Sequence, residues 1–249
     1  MLDSSCGHEE VLRAGITGTR VVRIGDTVRR PLKSRSPFVH ELLLHLEAKG
    51  FDAAPRFLGI DEQGREILSY ISGYDIEYVI ARGGKVERDV WSDQQIIAAA
   101  QLIRRLHDAT AGSVLAHREE VVCHNDLSPE NTVFSGNDNG LPYAIFDFDM
   151  AAPGPQIRDV GYAAWLWLGL GRNGLHVSEQ RRRLRLWCDS YGLRDRAAVL
   201  SGAEQRQMEL INNCNDEVMQ GIDQAIEQCA RLQSQLNWLR VNWKQLVAQ

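Results

Sequence analysis

The chain has 249 residues, 44% of them apolar and 24% charged, with a formal net charge of -5 at pH 7. That length and apolar content suit one large domain or a two-lobed unit with a sizeable core, and exclude disorder as the default. The acidic balance, without a broad Lys/Arg patch, excludes a nucleic-acid binder, since nothing would neutralise a phosphate backbone.

The first ten residues, MLDSSCGHEE, lack the positive charge and apolar run of a secretory signal, which points to a cytoplasmic protein. Residues 9 to 31 hold short β-like runs, with Ile24-Gly25-Asp26-Thr27 turning one strand into the next. Val39, Leu42, Leu43 and Leu46 then recur at helical spacing up to a stop at Lys49-Gly50. Two more strands are predicted from Arg56 to Ile60 and from Glu66 to Ile71, joined by a turn at Asp61 to Gly64.

From Gln94 onward the period changes, with Ile96, Ile97, Ala100, Leu102, Ile103 and Leu106 marking a helix. Further helices are predicted near 156 to 168, 177 to 192 and 204 to 247. Between them, Val121 to Phe148 contains the β-like runs VVC, TVF and YAIF, separated by polar residues of the kind that build sites at strand ends. The longest apolar stretch, VGYAAWLWLGL from Val160 to Leu170, is too short to span a membrane. Arg181 to Arg185 read as a solvated helix face. The five cysteines, Cys6, Cys123, Cys188, Cys214 and Cys229, are scattered, form no CxxC and fit a reducing compartment.

The chemistry concentrates in His124-Asn125-Asp126-Leu127-Ser128-Pro129-Glu130-Asn131, where Ser-Pro favours a loop. Sixteen residues after Asn131 stands Asp147, in the β-like Ala144-Ile145-Phe146-Asp147-Phe148-Asp149. Phosphoryl transfer needs such oxygens, because Mg2+ is a hard cation held by oxygen ligands near the charge that spreads over the transferred group. One carboxylate and one amide suffice for the metal. A further carboxylate must stay off it to orient the attacking hydroxyl and take its proton, and Asp126 is the candidate.

HNDLSPEN followed by IFDFD resembles the core of the aminoglycoside phosphotransferase and choline kinase family, relatives of protein kinases. The resemblance implies an α/β (α+β) two-lobed protein-kinase-like fold. Residues 1 to 71 would form an antiparallel N-lobe with one helix, and residues 72 to 249 a larger, mainly helical C-lobe, with ATP or GTP between them. It makes Asp126 the catalytic base, lets Asn131 and Asp147 hold Mg2+, and assigns His124 to support of the catalytic loop. Asp159, in IRDVGY, resembles the aspartate that braces that loop, and Asp149 stands beside the metal site as further support. The backbone of Ser69, Tyr70 and Ile71 would meet the nucleotide base. Gly15-Ile16-Thr17-Gly18-Thr19 sits where kinases cover the phosphates, without the full GxGxxG spacing. The family's strand-three lysine is absent, so Arg30 or Arg29 must substitute, with Glu41 on the following helix as its partner.

Asp147 and Asp149 also fit a DxD metal motif of a glycosyltransferase or of a haloacid-dehalogenase-like phosphatase. The phosphatase pattern wants Gly-Thr after the second aspartate near the chain start, whereas Met150-Ala151 follow it here in mid-chain. Glu204, Glu209, Asp216, Glu217, Asp223 and Glu227, offset along that stretch only by Arg206, read either as a solvated face or as a negative wall for a cationic acceptor. Trp165, Trp167, Trp238 and Trp243 read as packing anchors. The acceptor is expected to be a small-molecule alcohol. An aminoglycoside leads, with amino alcohols, sugars and homoserine-like metabolites open, and a catalytically idle binding or immunity protein is the rival. No nucleic acid or membrane partner is expected, and the protein is a monomer or a homodimer.

Overall fold

Short runs that mix apolar and polar residues at the start of the chain form an antiparallel sheet in the computed structural model, which describes residues 9–14, 20–76, 91–136, 140–171, 175–219 and 223–248. Its strands are β1 (Glu10–Ala14), β2 (Arg20–Ile24), β3 (Thr27–Pro31), β4 (Phe57–Ile60) and β5 (Arg65–Ser69), in the order β1-β2-β3-β5-β4. Gly25, at φ 59°, supplies the left-handed residue of the tight turn that pairs Ile24 with Thr27, as the sequence predicts. Helix α1 (Ser36–Ala48) follows β3 and buries Val39, Leu42, Leu43 and Leu46, the predicted apolar stripe. The loop Gly15 to Thr19 and Cys6 lie outside the described residues.

Packing divides the chain into two units, Met1–Val86 with Glu130–Asp149, and Glu87–Pro129 with Met150–Gln249. The expected boundary after Ile71 falls inside the first unit. The reason is strand pairing: β6 (Tyr74–Asp75) joins β8 (Thr132–Phe134), which in turn joins β9 (Pro142–Ile145) in a second small sheet. Gly73 admits this contact, because a Cβ there would lie 2.5 Å from Val133 Cγ1 and 2.6 Å from the Phe134 carbonyl oxygen.

The second unit is mainly helical. It contains α2 (Asp93–Thr110), α3 (Gln156–Leu168), α4 (Val177–Tyr191), α5 (Arg196–Met219) and α6 (Asp223–Val247), with the short pair β7 (Val121–Cys123) and β10 (Ala152–Gly154). Ser92 and Gln95 start α2 with a reciprocal capping box. The predicted helical stretch from 204 to 247 is two helices, α5 and α6. Trp165 and Trp167 are buried, and the Trp165 indole N–H donates to Gln235 on α6 at 3.1 Å, in keeping with a packing role. The arginine run of α4 is not all solvated: Arg182 is exposed and binds Asp93 on α2 and Glu179, but Arg183 is buried by the helix packing and binds Glu179. No described helix is long and apolar enough to cross a membrane.

Helices α3 and α5 meet at two glycines. A Cβ on Gly161 would lie 2.5 Å from the Ala203 nitrogen, and one on Gly202 would lie 2.5 Å from the Ile157 carbonyl oxygen. The obstacles are backbone atoms, which cannot swing aside as a side chain would. Gly161→Ala is therefore expected to destabilise the protein by about 1–3 kcal/mol, the usual cost of overpacking. A lowered urea midpoint would show it, and an unchanged midpoint would mean that the two helices separate without penalty.

Candidate active site

In the first unit, successive residues of β3 face opposite sides of the sheet. Arg29 lies near Asp61, with Nε 3.7 Å from the carboxylate, while Arg30 turns to a cluster of acids. Arg30 Nε donates to Glu66 at 2.7 Å, Nη1 to Asp147 at 3.3 Å and Nη2 to Asp149 at 2.8 Å. Lys33 Nζ donates to the second oxygen of Asp149. Arg30 is thus the cation at the strand-three position.

Its strand partner corrects the expectation for Glu41. Glu41 is exposed on α1, and the carboxylate held by Arg30 at Nε is Glu66, its directly paired residue on β5. The neighbour of Glu41, His40, points inward instead: it stacks on Phe57 at 3.7 Å and lies 2.7 Å from Glu66 through Nε2. Glu66, fully buried, is therefore gripped from β3 and from α1. Sequence reasoning missed Glu66, His40 and Lys33, since only the β3–β5 register reveals that Arg30 and Glu66 are opposite one another.

The β8–β9 ladder brings the Asn131 main chain to the strand end that precedes Asp147. Thr132 pairs with Ile145, and the Phe146 amide donates to the Asn131 carbonyl at 3.0 Å, which places Asn131 next to the strand end that carries Asp147. Asp147 adopts φ 61°, a left-handed conformation that aspartate tolerates better than most residues and that clusters at functional sites. Burial and the charge of Asp149 push the Asp147 carboxyl up, against the pull of Arg30. For Asp149 burial acts the same way, but Arg30 and Lys33 outweigh it and hold the carboxyl below its usual range. Arg30 in turn resists burial through Asp149, Glu66 and Asp147, which keep it firmly protonated.

These residues suit Mg2+. Among the described residues no group of three His, Cys, Asp or Glu is arranged to hold a metal. Magnesium does not require one, because it takes one or two protein carboxylates and completes its octahedron with waters and substrate phosphates. Asn131 and Asp147 offer an amide oxygen and a carboxylate, and a divalent cation beside Asp147 would relieve the repulsion from Asp149. Asp149, with both oxygens on Arg30 and Lys33, is an anchor for those cations rather than a ligand.

The expected base-contacting segment is partly committed to its own unit. The Ser69 amide donates to the Arg56 carbonyl and the Tyr70 amide to the Asp26 carbonyl, each at 2.9 Å, and the Arg23 guanidinium covers the Tyr70 ring at 3.8 Å. Of the three residues, Ile71 follows directly after these committed amides.

In the second unit, β7 leads into the loop that carries His124, Asn125 and Asp126. Asp159, in the first turn of α3 and without solvent exposure, accepts from the His124 amide at 2.6 Å and the Asn125 amide at 2.8 Å, and lies 3.2 Å from His107 Nε2. Burial works to push its carboxyl up, but the hydrogen bond and charge of His107, with the loop amide, win and hold it low. Asn125 takes φ 66°, with its side chain bonded to the Met150 carbonyl and to Arg158. His124 Nδ1 accepts the Asp126 amide at 3.2 Å, which puts a neutral ring's proton on Nε2. The Asp126 carboxylate accepts from Tyr162 Oη at 2.8 Å.

The acidic stretch is largely neutralised where it meets this loop. Glu209 binds Arg158 through both oxygens at 2.8 Å and Arg206 at 3.0 Å, while Glu204 binds Arg240 at 2.6 Å. Arg158 and Arg240 come from α3 and α6, distant in sequence, so helix packing offsets Glu209 and Glu204, while Asp216 and Glu217 stay exposed on α5. The Asp223 side chain lies outside the described set.

The chain matches the phosphotransferase enzyme family over residues 75–200. It is 34% identical over 209 residues, 75% of either chain, to the trifolitoxin immunity protein of Rhizobium leguminosarum bv. trifolii. In fold it is similar to the GDP and kanamycin complex of APH(2'')-IIia, with 14% identity, a TM-score of 0.58 and coverage of 93% of this chain and 95% of that one. The ADP-bound aminoglycoside phosphotransferase APH(2'')-Ib gives 14% identity, a TM-score of 0.55 and coverage of 94% and 95%. Because the matched span takes in both the loop that carries Asp126 and the strand end that delivers Asp147, the chain belongs to the phosphotransferase enzyme family first signalled by HNDLSPEN.

Proposed function

We propose that the protein transfers the γ-phosphate of ATP or GTP to a hydroxyl of a small molecule, with Asp126 as the base and Asn131 and Asp147 as the protein ligands of Mg2+. When bound, the metal would neutralise charge on the phosphates and bridge them to the protein. Asp126 orients the acceptor hydroxyl and takes its proton as the acceptor oxygen bonds to the γ-phosphorus and the nucleoside diphosphate leaves. Arg30 holds Asp147 and Asp149 through separate N–H groups and offsets their repulsion, and Ile71, beside the committed amides of Ser69 and Tyr70, meets the base. The observation that supports this reading is the β8–β9 ladder, through which the Phe146 amide, next to Asp147, bonds the Asn131 main chain.

Family membership makes aminoglycosides the first acceptors to assay. The charge argument for a cationic acceptor loses support, because Glu204 and Glu209 are paired with arginines. The relative named as a trifolitoxin immunity protein favours a second reading, in which the chain protects against a toxin by modifying or binding it.

Thermal denaturation with Mg2+ and each nucleotide, followed by an assay of ADP or GDP release, separates phosphoryl transfer from binding alone. At a hundredfold excess over Kd a ligand adds about 2.7 kcal/mol, or roughly 5–11 °C in Tm for a chain of this size. The shift is expected to depend on Mg2+ and to shrink in Asp147→Asn. No shift with either nucleotide at saturation would overturn the phosphotransferase reading in favour of an idle binding protein.

A further inference from the structure

We propose that Tyr162 is a positioning residue for Asp126: its hydroxyl fixes the plane of the carboxylate that receives the acceptor's proton. The inference rests on the phosphotransferase reading and deepens it. A carboxylate on a loop can rotate about its last torsion, which is broad and has no deep staggered wells. A base that must meet one hydroxyl in one direction needs that torsion held.

Helix α3 supplies it. Asp159 and Tyr162 are three residues apart on α3 and so share a face of the helix. Asp159 holds the main chain before the base, through the His124 and Asn125 amides, and Tyr162 holds the base itself through Oδ1 at 2.8 Å. Tyr162 is in turn confined: it is 9% exposed, and the Arg206 guanidinium stands over its ring at 5.2 Å. Arg206 is fixed by Glu209 and by the Asn125 carbonyl, the latter at 3.2 Å. The close crossing at Gly161 and Gly202 brings α5 near enough for this. The ring, the guanidinium and the loop therefore constrain one another, and the phenol O–H is directed at the carboxylate.

A buried tyrosine hydroxyl also needs some partner for its own sake, so loss of the bond must be read through the base. The test is a cycle of Tyr162→Phe, Asp126→Asn and the double variant, following ADP release from Mg·ATP with kanamycin and with no added acceptor, where water takes its place. Tyr162→Phe is expected to lower kcat by about 10- to 100-fold, the value of a hydrogen bond to a charged group, with KM for the nucleotide and Tm little changed. In the Asp126→Asn background the same change is expected to cost almost nothing further. Equal losses in both backgrounds, a loss confined to KM, or unchanged kcat would overturn the role of Tyr162 while leaving the phosphotransferase reading intact. Wild-type protein that neither shifts in Tm with nucleotide nor releases ADP would overturn that reading, and this inference with it.

Discussion

Asp159→Ala is expected to destabilise the protein by about 3–5 kcal/mol, the usual consequence of leaving buried polar partners without their charge. The carboxylate is fully buried and is the acceptor for two loop amides, with His107 as its third neighbour. Its removal strands the His124 and Asn125 N–H groups where water cannot reach them. For a chain of this length the loss corresponds to a fall in Tm of roughly 6–20 °C. Circular dichroism melts would measure it, and a variant melting within the error of wild type would mean that another group braces the loop.

The same carboxylate sets a pH dependence with a definite sign. Its folded pKa lies below the ordinary value because the His107 contact and the loop amide outweigh burial. The unfolded chain then binds more protons than the folded one, so this stabilisation is complete above the unfolded value of about 3.9 and disappears as pH falls through the folded pKa. The gap in Tm between wild type and Asp159→Ala should be constant from neutral pH to mild acid and narrow only in stronger acid. A gap that stayed the same through strong acid would mean that the Asp159 carboxylate does not set it.

Asp126→Asn should cut kcat by about 10² to 10⁴, the range for loss of a positioned general base. The amide is close to isosteric and its oxygen still accepts from Tyr162, so the loop should keep its shape and the protein its Tm. Binding of Mg·ATP, measured by calorimetry, should be unchanged, since Asn131 and Asp147 are untouched. Turnover within a few-fold of wild type would remove Asp126 from the mechanism; weakened nucleotide affinity with unchanged turnover would give it a binding role instead.

Much of the site could be read from the chain because its chemistry is local. An aspartate five residues before an asparagine is a local pattern, and one β-ladder sets the Asn131 main chain beside the strand end that precedes Asp147. The first strands of the chain were legible for the same reason, as short β-like runs broken by a glycine turn. The partner of Arg30 was not. Glu41 was expected, one residue off the helical face that His40 occupies, and the acid that does the work is Glu66, 36 residues from Arg30 and opposite it only because β3 pairs with β5 in that register.

Local spacing thus determined the family and the elements that hold the candidate residues, since both depend on neighbours a few positions apart. Packing decided the charges around them: Arg158 and Arg240 cancel Glu209 and Glu204, and Tyr162 reaches Asp126, across gaps of 36 to 51 residues. Such pairings follow from how helices cross and strands register, which depend on the whole core at once, and no stretch of sequence encodes them alone.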